Sequence, residues 1–503
     1  MLEDMNEKCA VVGIYGNKEA SKLAYFSLHA LQHRGQEAAG ISSSNGTKLQ
    51  TIKKRGLVMR VFDEKKLETL RGSSAIGHTR YSTAGDDSIL DAQPVFARYD
   101  LGEMAIVHNG NLTNAEEIRN RLIDKGAIFQ TFMDTENLIH LIAKSEKRKL
   151  LDRIIDAVQR IEGAFSLVFL SRTKMFAMRD RHGFRPLSLG KLPSGGYIVA
   201  SETCAFDLVG ATFMRDVEPG ELLIFDEDKE PESIKVFEPT PKHCIFEYVY
   251  MARPDSTIDG VTVYNVRMRM GDYLAEKIRK ETKAGEIDVV MPIPDSSRPA
   301  AMQVAKSLGV VYREGFFKNR YIGRTFIMPG QAVREKSVRQ KLNAMRIEFK
   351  DKTVLIVDDS IVRGTTSFEI VQMARESGAK KVIFASAAPP VRFPNVYGID
   401  MPTRSELVAY GRTDEEINKL IGADQLIYQD VEDMKQAVRD INPALQNFEA
   451  SCFDGHYVTG DITESYLDAL EAARNTSAAK ADRQRDSSDF ARSQLHLHLA
   501  TED

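Results

Sequence analysis

The stretch TVLIVDDSIVRGTTSFEI, residues 353–370, limits the possible folds more than any other part of the chain. Residues 354–357 are an unbroken apolar, β-branched run that ends on two carboxylates, Asp358 and Asp359, and helical periodicity resumes beyond Thr365. A buried strand, a sharp polar turn and a helix make up the repeating unit of a parallel sheet. IDVVMPIP and KVIFASAAPP have the same strand character, and RPAAMQVAKSLG supplies a second following helix. The alternation predicts an α/β domain with a parallel sheet, whose ligand crevice lies at the C-terminal ends of the strands.

The junction after residue 357 brings together Asp358, Asp359, Ser360, Arg363, Gly364, Thr365, Thr366 and Ser367. Backbone N–H groups and hydroxyls at a helix start hold phosphate, glycine permits the close turn, and arginine adds positive charge. Adjacent carboxylates suit the hydroxyls of a ribose and a phosphate-bridging Mg²⁺. A solvated, capped loop is the plain alternative, since Asp and Ser also mark turns. A polyol phosphate accounts for acids, base and glycine together. The chain lacks G-x-x-x-x-G-K-[ST], and no G-x-G-x-x-G follows a strand, which argues against the common nucleotide-binding loops. A second strand end, MPIPDSSRPA, places Asp295, Ser296 and Ser297 before Arg298 and a Pro299 suited to a first helical turn. Two such loops imply a ligand with phosphate at both ends. Between them GFFKNRYIGRTFIMPGQAVREKSVRQKLNAMR carries Lys318, Arg320, Arg324, Arg334, Lys336, Arg339 and Lys341. Interrupted by glycines and Pro329, it reads as a basic flap that closes on pyrophosphate.

The first part of the chain follows a different pattern. Up to about residue 236, CAVVGIYG, AIGHTRYST, MAIVHNG, AFSLVFL, KMFAMRD and GELLIFD read as short strands, with helical patterns at 18–33, 114–124, 134–144 and 150–160. This predicts an α+β domain rich in antiparallel sheet. The Pro-marked VFEPTPKHC separates it from the second domain, and NTSAAKADRQRDSSDF near the end reads as a loose polar tail. At 503 residues the chain has room for two cores. The net charge of -4 gives no footprint for nucleic acid. No apolar run reaches the length of a membrane span. Four scattered cysteines, Cys9, Cys204, Cys244 and Cys452, do not make a disulfide framework and favour a reducing compartment, the cytoplasm.

VLIVDDSIVRGTTS, with PIPDSSRPA and KNRYIGRTF, resembles the phosphoribosyltransferases that use 5-phosphoribosyl 1-pyrophosphate. Within that group the chain resembles the glutamine phosphoribosylpyrophosphate amidotransferases, from Cys9 to about Tyr466. The resemblance implies a glutamine amidotransferase type 2 domain at 9–236, with the αββα fold of N-terminal-nucleophile hydrolases. It implies a type I phosphoribosyltransferase domain at 237–470, a leader at 1–8 that is removed, and a polar tail at 471–503. Removal of the leader would give Cys9 a free α-amine, whose ordinary pKa of roughly 8 makes it a usable base for the thiol. The implied roles are Cys9 as nucleophile, Asn109 and Gly110 of HNGNLTN as oxyanion donors, and Arg80 and Asp134 as clamps for the carboxylate and ammonium of glutamine. Arg34 and Gln36 in LQHRGQEAAG would shape the pocket. Singly, HNGN reads equally well as a hairpin turn and Arg80 as a surface charge; the ordered set is what carries weight.

For the second domain the resemblance implies that Asp358 and Asp359 hold the ribose hydroxyls or Mg²⁺, with Ser296 as a metal contact. Residues 363–367 take the 5-phosphate, and Lys318, Arg324 and Lys341 belong to the flap. Tyr250 and Arg253 in FEYVYMARPDS fall near the domain junction and the ammonia path. The implied activity is release of ammonia from glutamine and its transfer to phosphoribosyl pyrophosphate, giving phosphoribosylamine, glutamate and pyrophosphate at the first committed step of de novo purine synthesis. Mg²⁺ as cofactor, purine nucleotides as inhibitors and a homodimer or homotetramer follow from the same resemblance.

Two departures stand out. One branch of the family carries a four-cysteine iron–sulfur cluster; here Cys244 and Cys452 stand at two ligand-like positions, but Asn395 replaces another and Ser451 does not restore the set. Two thiols do not supply Cys₄ coordination, so no cluster is expected. Ala10 follows the nucleophile where glycine is common. Two other readings compete. A hexosamine-forming synthase would share the first domain but has no use for DDSIVRGTTS. A regulatory sensor of phosphoribosyl pyrophosphate would not need Cys9, Arg80, Asn109 and Asp134.

Overall fold

The computed structural model describes residues 9–80, 89–226, 229–318 and 342–472. In the first domain the short alternating strands form two antiparallel sheets that stack face to face. One has seven strands, in the order Thr212–Asp216, Ser188–Lys191, Tyr197–Ala200, Ala10–Tyr15, Ser74–Arg80, Ala38–Ser44 and Leu49–Arg55. The other has six, in the order Glu232–Lys235, Glu221–Phe225, Met175–Arg179, Gly163–Ser171, Gly102–Leu112 and Val95–Tyr99.

Alternation along the strands builds the layers. Ala10, Val12 and Ile14 face the helices Ala20–Ala30 and Cys204–Val209, whereas Val11 and Tyr15 face the second sheet. On that sheet Met104, Ile106, Leu167 and Phe169 face outward against helices Ala115–Asp124, Thr135–Lys144 and Leu150–Val158, and Val107, Val168 and Leu170 complete the layer between the sheets. Gly13 falls on this inner layer, and a Cβ there would come within 2.8 Å of Met175 Sδ and Val199 Cγ2. The result is the expected αββα sandwich.

The second domain holds a five-stranded parallel sheet in the order Val311–Tyr312, Val289–Pro292, Thr353–Asp358, Lys381–Ser386 and Gln425–Tyr428. Helices Val263–Glu281 and Arg298–Leu308 cover one face through Leu274, Ala275, Ile278, Ala301 and Val304, which meet Val290, Leu355, Val357 and Ile383. Helices Thr365–Glu376 and Asp414–Ile421 cover the other through Ile370, Val371, Ile417 and Ile421. Three predicted helix spans agree with the observed ones to within two residues. The fourth, 18–33, resolves into Ala20–Ala30 and a separate 3₁₀ turn, Gln32–Arg34. The helix at 464–472 spans the expected boundary between domain and tail, with Glu471 in its last turn among the described residues. No helix among the described residues is long and apolar enough to cross a membrane. The leader at 1–8, most of the basic flap, including Arg324 and Lys341, and residues 473–503 lie outside the described residues.

Candidate active sites

Cys9 stands at the entry to the strand Ala10–Tyr15, with its backbone at φ +68°, a left-handed conformation uncommon outside glycine. Antiparallel pairing sets Ala10 opposite Thr79 and Ala38 opposite Arg80, so Cys9 and Arg80 fall at the same edge of the seven-stranded sheet. The neighbouring strand of the second sheet carries Asn109 and Gly110, and the two sheets are tied here by His78 Nε2 and the His108 carbonyl, 3.1 Å apart. Asn109 is fully buried, and among the described residues neither polar atom of its amide has a hydrogen-bond partner. Buried amides are nearly always paired, so this one stands ready for a ligand. Gly110 has φ +146°, and a Cβ there would lie 2.0 Å from the Ala164 carbonyl oxygen, so no other residue fits.

The two clamp candidates are held by the same loop. Arg80 Nη1 donates to the Asp91 carbonyl, and the Asp91 carboxylate accepts the Phe132 N–H at 3.2 Å, two residues before Asp134. Asp134 accepts the Leu112 N–H at 3.0 Å and lies 3.3 Å from His108 Nδ1. Burial alone would raise its pKa; the attraction of His108 and the hydrogen bonds from Leu112 and Thr135 reverse this and hold it below the ordinary carboxylate value. Asp91, His78 and His108 were missed by sequence reasoning. The two histidines lie in the quoted motifs GHTRYST and HNGNLTN, but their role as inter-sheet ties depends on sheet stacking.

In the second domain the two phosphate-type loops meet. Ser296 Oγ donates to Asp359 Oδ2, and Ser360 Oγ donates to Asp359 Oδ1 at 2.6 Å. Asp358 Oδ1 accepts the Asp359 N–H at 2.9 Å. Gly364, at φ +77°, turns the chain into helix Thr365–Glu376, whose first internal bond runs from Phe368 N–H to the Gly364 carbonyl at 2.9 Å. The N–H groups of residues 365–367 precede that bond and so point at the crevice without intrahelical partners. Ser367 is fully buried, and its hydroxyl has no partner among the described residues. Two of the expected positive charges come with counter-ions: Arg363 Nη2 lies 3.3 Å from Glu406, and Lys318 Nζ lies 2.8 Å from Asp295. No cluster of three or more His, Cys, Asp or Glu suited to a metal occurs among the described residues. The donor set of Asp358, Asp359 and Ser296 still fits Mg²⁺, which takes one or two carboxylates and completes its shell with water and substrate oxygens.

Arg34, expected in the glutamine pocket, has a fully buried side chain that pairs with Glu202 and, at 2.5 Å, with Glu247 of the second domain, which also accepts from Arg185 at 3.1 Å. Glu202 further accepts the Arg253 N–H at 2.9 Å and the Ser256 hydroxyl at 2.5 Å. Arg253 also reaches the Ala30 carbonyl at 3.3 Å, so it does lie at the junction, as expected. A second contact falls on the strand that carries Asn109 and Gly110. Asn111 Nδ2 donates to the Val396 carbonyl at 3.0 Å, Tyr397 stacks on Phe184 with ring centroids 4.5 Å apart, and a Cβ on Gly398 would meet Gly110 Cα at 2.9 Å. Asn395 shapes this turn by accepting the N–H groups of Tyr397 and Ile399, and it donates to Glu449 at 3.3 Å. Cys244 and Cys452 are buried nearby; burial pushes the Cys244 thiol up to about 12 and raises that of Cys452 well above its ordinary value.

Comparison with known proteins agrees with this two-site arrangement. Residues 78–207 match a glutamine amidotransferase domain family and residues 265–390 a phosphoribosyl transferase domain family. The chain is 48% identical over 493 residues to the amidophosphoribosyltransferase of Escherichia coli, covering 95% of this chain and 97% of that one. It is 43% identical over 474 residues to that of Bacillus subtilis, covering 94% and 98%. The solved glutamine phosphoribosylpyrophosphate amidotransferase of B. subtilis, complexed with ADP and GMP, superposes with a TM-score of 0.84 at 44% identity, covering 91% of this chain and 98% of that one. A structure described as the allosteric regulatory enzyme of purine biosynthesis superposes at 0.86 with 43% identity, covering 92% and 99%. With two sites on two domains, and with similarity of this extent running through both, the chain belongs to the amidophosphoribosyltransferase family.

Proposed function

We propose that Cys9, Asn109, Gly110, Arg80 and Asp134 form the glutaminase centre of a glutamine-dependent amidophosphoribosyltransferase, and that residues 358–367 with Ser296 form its acceptor centre. Members of this family transfer ammonia from glutamine to phosphoribosyl pyrophosphate at the first step of purine biosynthesis. The observation that carries the site assignment is the buried amide of Asn109, unpartnered among the described residues, beside Gly110. Once residues 1–8 are removed, the α-amine of Cys9 takes the thiol proton as the sulfur attacks the glutamine side-chain amide, and returns it to the amide nitrogen as the C–N bond breaks and ammonia leaves a γ-glutamyl thioester. Asn109 Nδ2 and the Gly110 N–H hold the oxyanion, Arg80 and Asp134 fix the amino-acid end, and water clears the thioester.

Ammonia then displaces pyrophosphate at C1 of the ribose, with the 5-phosphate on the N–H groups and hydroxyls of 365–367. Asp358, Asp359 and Ser296 would hold Mg²⁺, which would supply charge neutralisation at the pyrophosphate. Lys318, Arg324 and Lys341 add positive charge there. Cys244 and Cys452 hold no iron–sulfur cluster in this reading, because their neighbours Asn395 and Glu449 are paired with each other and supply no thiolate. Purine nucleotides act as inhibitors, the enzyme assembles as a homodimer or homotetramer, and it works in the cytoplasm.

The decisive experiment is Cys9→Ala in the processed enzyme, assayed with glutamine and separately with ammonium salts. Glutamine-dependent pyrophosphate release should vanish while ammonia-dependent release continues. Retained glutamine-dependent turnover would sink the nucleophile assignment.

A further inference from the structure

The loop Ile361–Gly364 does not stand alone. The segment 403–408 runs beneath it and touches it in three ways. The Val408 N–H donates to the Val362 carbonyl at 2.8 Å. The Val408 side chain packs so close to Gly364 that a Cβ there would meet its Cγ2 at 2.9 Å. Glu406 Oε1 pairs with Arg363 Nη2 at 3.3 Å. The Glu406 carboxylate is itself aimed: its Oε2 accepts both the N–H and the hydroxyl of Thr403 at 3.1 Å, completing a reciprocal cap on the short turn Arg404–Glu406. One oxygen is thus fixed by Thr403 and the other is directed at the arginine.

The brace is in turn held from the far side. Arg404, only 14% exposed, meets three carboxylates: Glu471 at 2.9 Å, Glu464 at 3.2 Å and Asp468. These residues are spaced i, i+4 and i+7, so they share one face of the helix at 464–472. The same helix is anchored by Leu467, which is buried with Phe184, Val396 and Tyr397 beside the strand that carries Asn109 and Gly110. A guanidinium that meets three carboxylates on one face fixes direction better than a single exposed pair would.

We propose that Glu406 is a positioning residue for the 5-phosphate loop and that Arg404, clasped by Glu464, Asp468 and Glu471, fixes the segment that carries it. The proposal rests on the reading of residues 363–367 as the 5-phosphate site. Glu406 touches no substrate; it sets where the Arg363 guanidinium lies and, with Val408, the turn at Gly364.

The test is ammonia-dependent phosphoribosylamine synthesis, with KM for phosphoribosyl pyrophosphate as the readout, in Glu406→Gln, Arg404→Ala, Arg404→Lys and the triple variant Glu464→Gln/Asp468→Asn/Glu471→Gln. Arg363→Ala is the reference. The triple variant changes side chains at a partly exposed helix face and so keeps the test alive if Arg404→Ala folds poorly. Glu406→Gln, Arg404→Ala and the triple variant should raise this KM about tenfold and leave kcat within about twofold, the signature of lost ground-state positioning. Arg404→Lys should recover part of the loss, and KM for glutamine in the glutaminase assay should not move. A merely structural role would lower the melting temperature and leave this KM at the wild-type value. If Arg363→Ala raises KM while the brace variants do not, the inference is overturned. If Arg363→Ala leaves KM unchanged, the phosphate-site reading itself fails.

Discussion

Asn109 and Asp134 show how two polar side chains in one site are prepared by opposite means. Asn109 is left without partners among the described residues, whereas Asp134 is surrounded by groups that keep it ionised. Removing an oxyanion donor costs about 10²–10³ in kcat, so Asn109→Ala should lose glutaminase turnover on that scale with little change in KM for glutamine. Because the amide has no partner to lose among the described residues, the variant should melt at or above the wild-type temperature, and a calorimetric scan checks this. Asp134→Asn keeps an acceptor for the Leu112 N–H but removes the charge, so KM for glutamine should rise about tenfold while ammonia-dependent synthesis stays intact. His78 stays neutral in the same wall, since burial drives its pKa down to about 3. Cys9, Asn109 and Gly110, the proposed nucleophile and donors, were legible as residue types in order along the chain. Asp91, whose backbone carbonyl holds Arg80 and whose carboxylate holds the Phe132 N–H beside Asp134, was not, because these partners lie 11 and 41 positions away.

Strands and helices followed the local pattern closely. The run Ala10–Tyr15 could be read as a strand, but with all six residues buried it shows no alternation between polar and apolar to say which side faces helix and which faces sheet. Gly13 marks the inner side: Gly13→Ala would press a methyl group onto Met175 and Val199 and should cost about 1–3 kcal/mol, measurable by denaturant unfolding. The 3₁₀ turn at Gln32–Arg34 was read as helix continuation because the apolar spacing runs on through Leu31. The break serves Arg34, whose guanidinium must leave the helix surface to reach Glu202 and Glu247. In the second domain the strand-loop-helix units could be read from glycine and carboxylate positions, since Gly364 alone satisfies the left-handed turn into the helix.

At the scale of the molecule, two buried ionic groups join the domains. Arg34 between Glu202 and Glu247 is one. Arg34→Ala takes the buried guanidinium from Glu202 and leaves Glu247 with Arg185 alone, and should cost about 3–5 kcal/mol, seen as an early unfolding transition, whereas a residue that only bound glutamine would cost little. The other joins Arg179 to Asp259 at 2.7 Å, with His243 2.8 Å from the same carboxylate. Asp216 sits beside this pair, accepting from the Ser188 hydroxyl at 2.6 Å and the Gly260 N–H at 3.3 Å. Burial, and then the charge of Asp259, push the Asp216 carboxyl up to about 6, against the pull of Ser188 and Arg179. A raised carboxyl favours the folded state fully below its ordinary value of 3.8, and that contribution is lost as pH rises through about 6. Asp216→Asn should therefore melt above wild type at pH 8, with the gain shrinking as pH falls towards 4.

The sequence by itself determined the two chemistries. A thiol after a polar leader, an HNGN turn, a DDSIVRGTTS junction and the strand patterns around them each follow from local chain geometry, which neighbouring residues decide. Tertiary structure alone decided how the chemistries are joined: Arg34 at the junction, Asn395 turning the chain onto Gly110, and Glu406 beneath Arg363. These depend on contacts between residues tens to hundreds of positions apart, and no local periodicity encodes which buried charge will meet which.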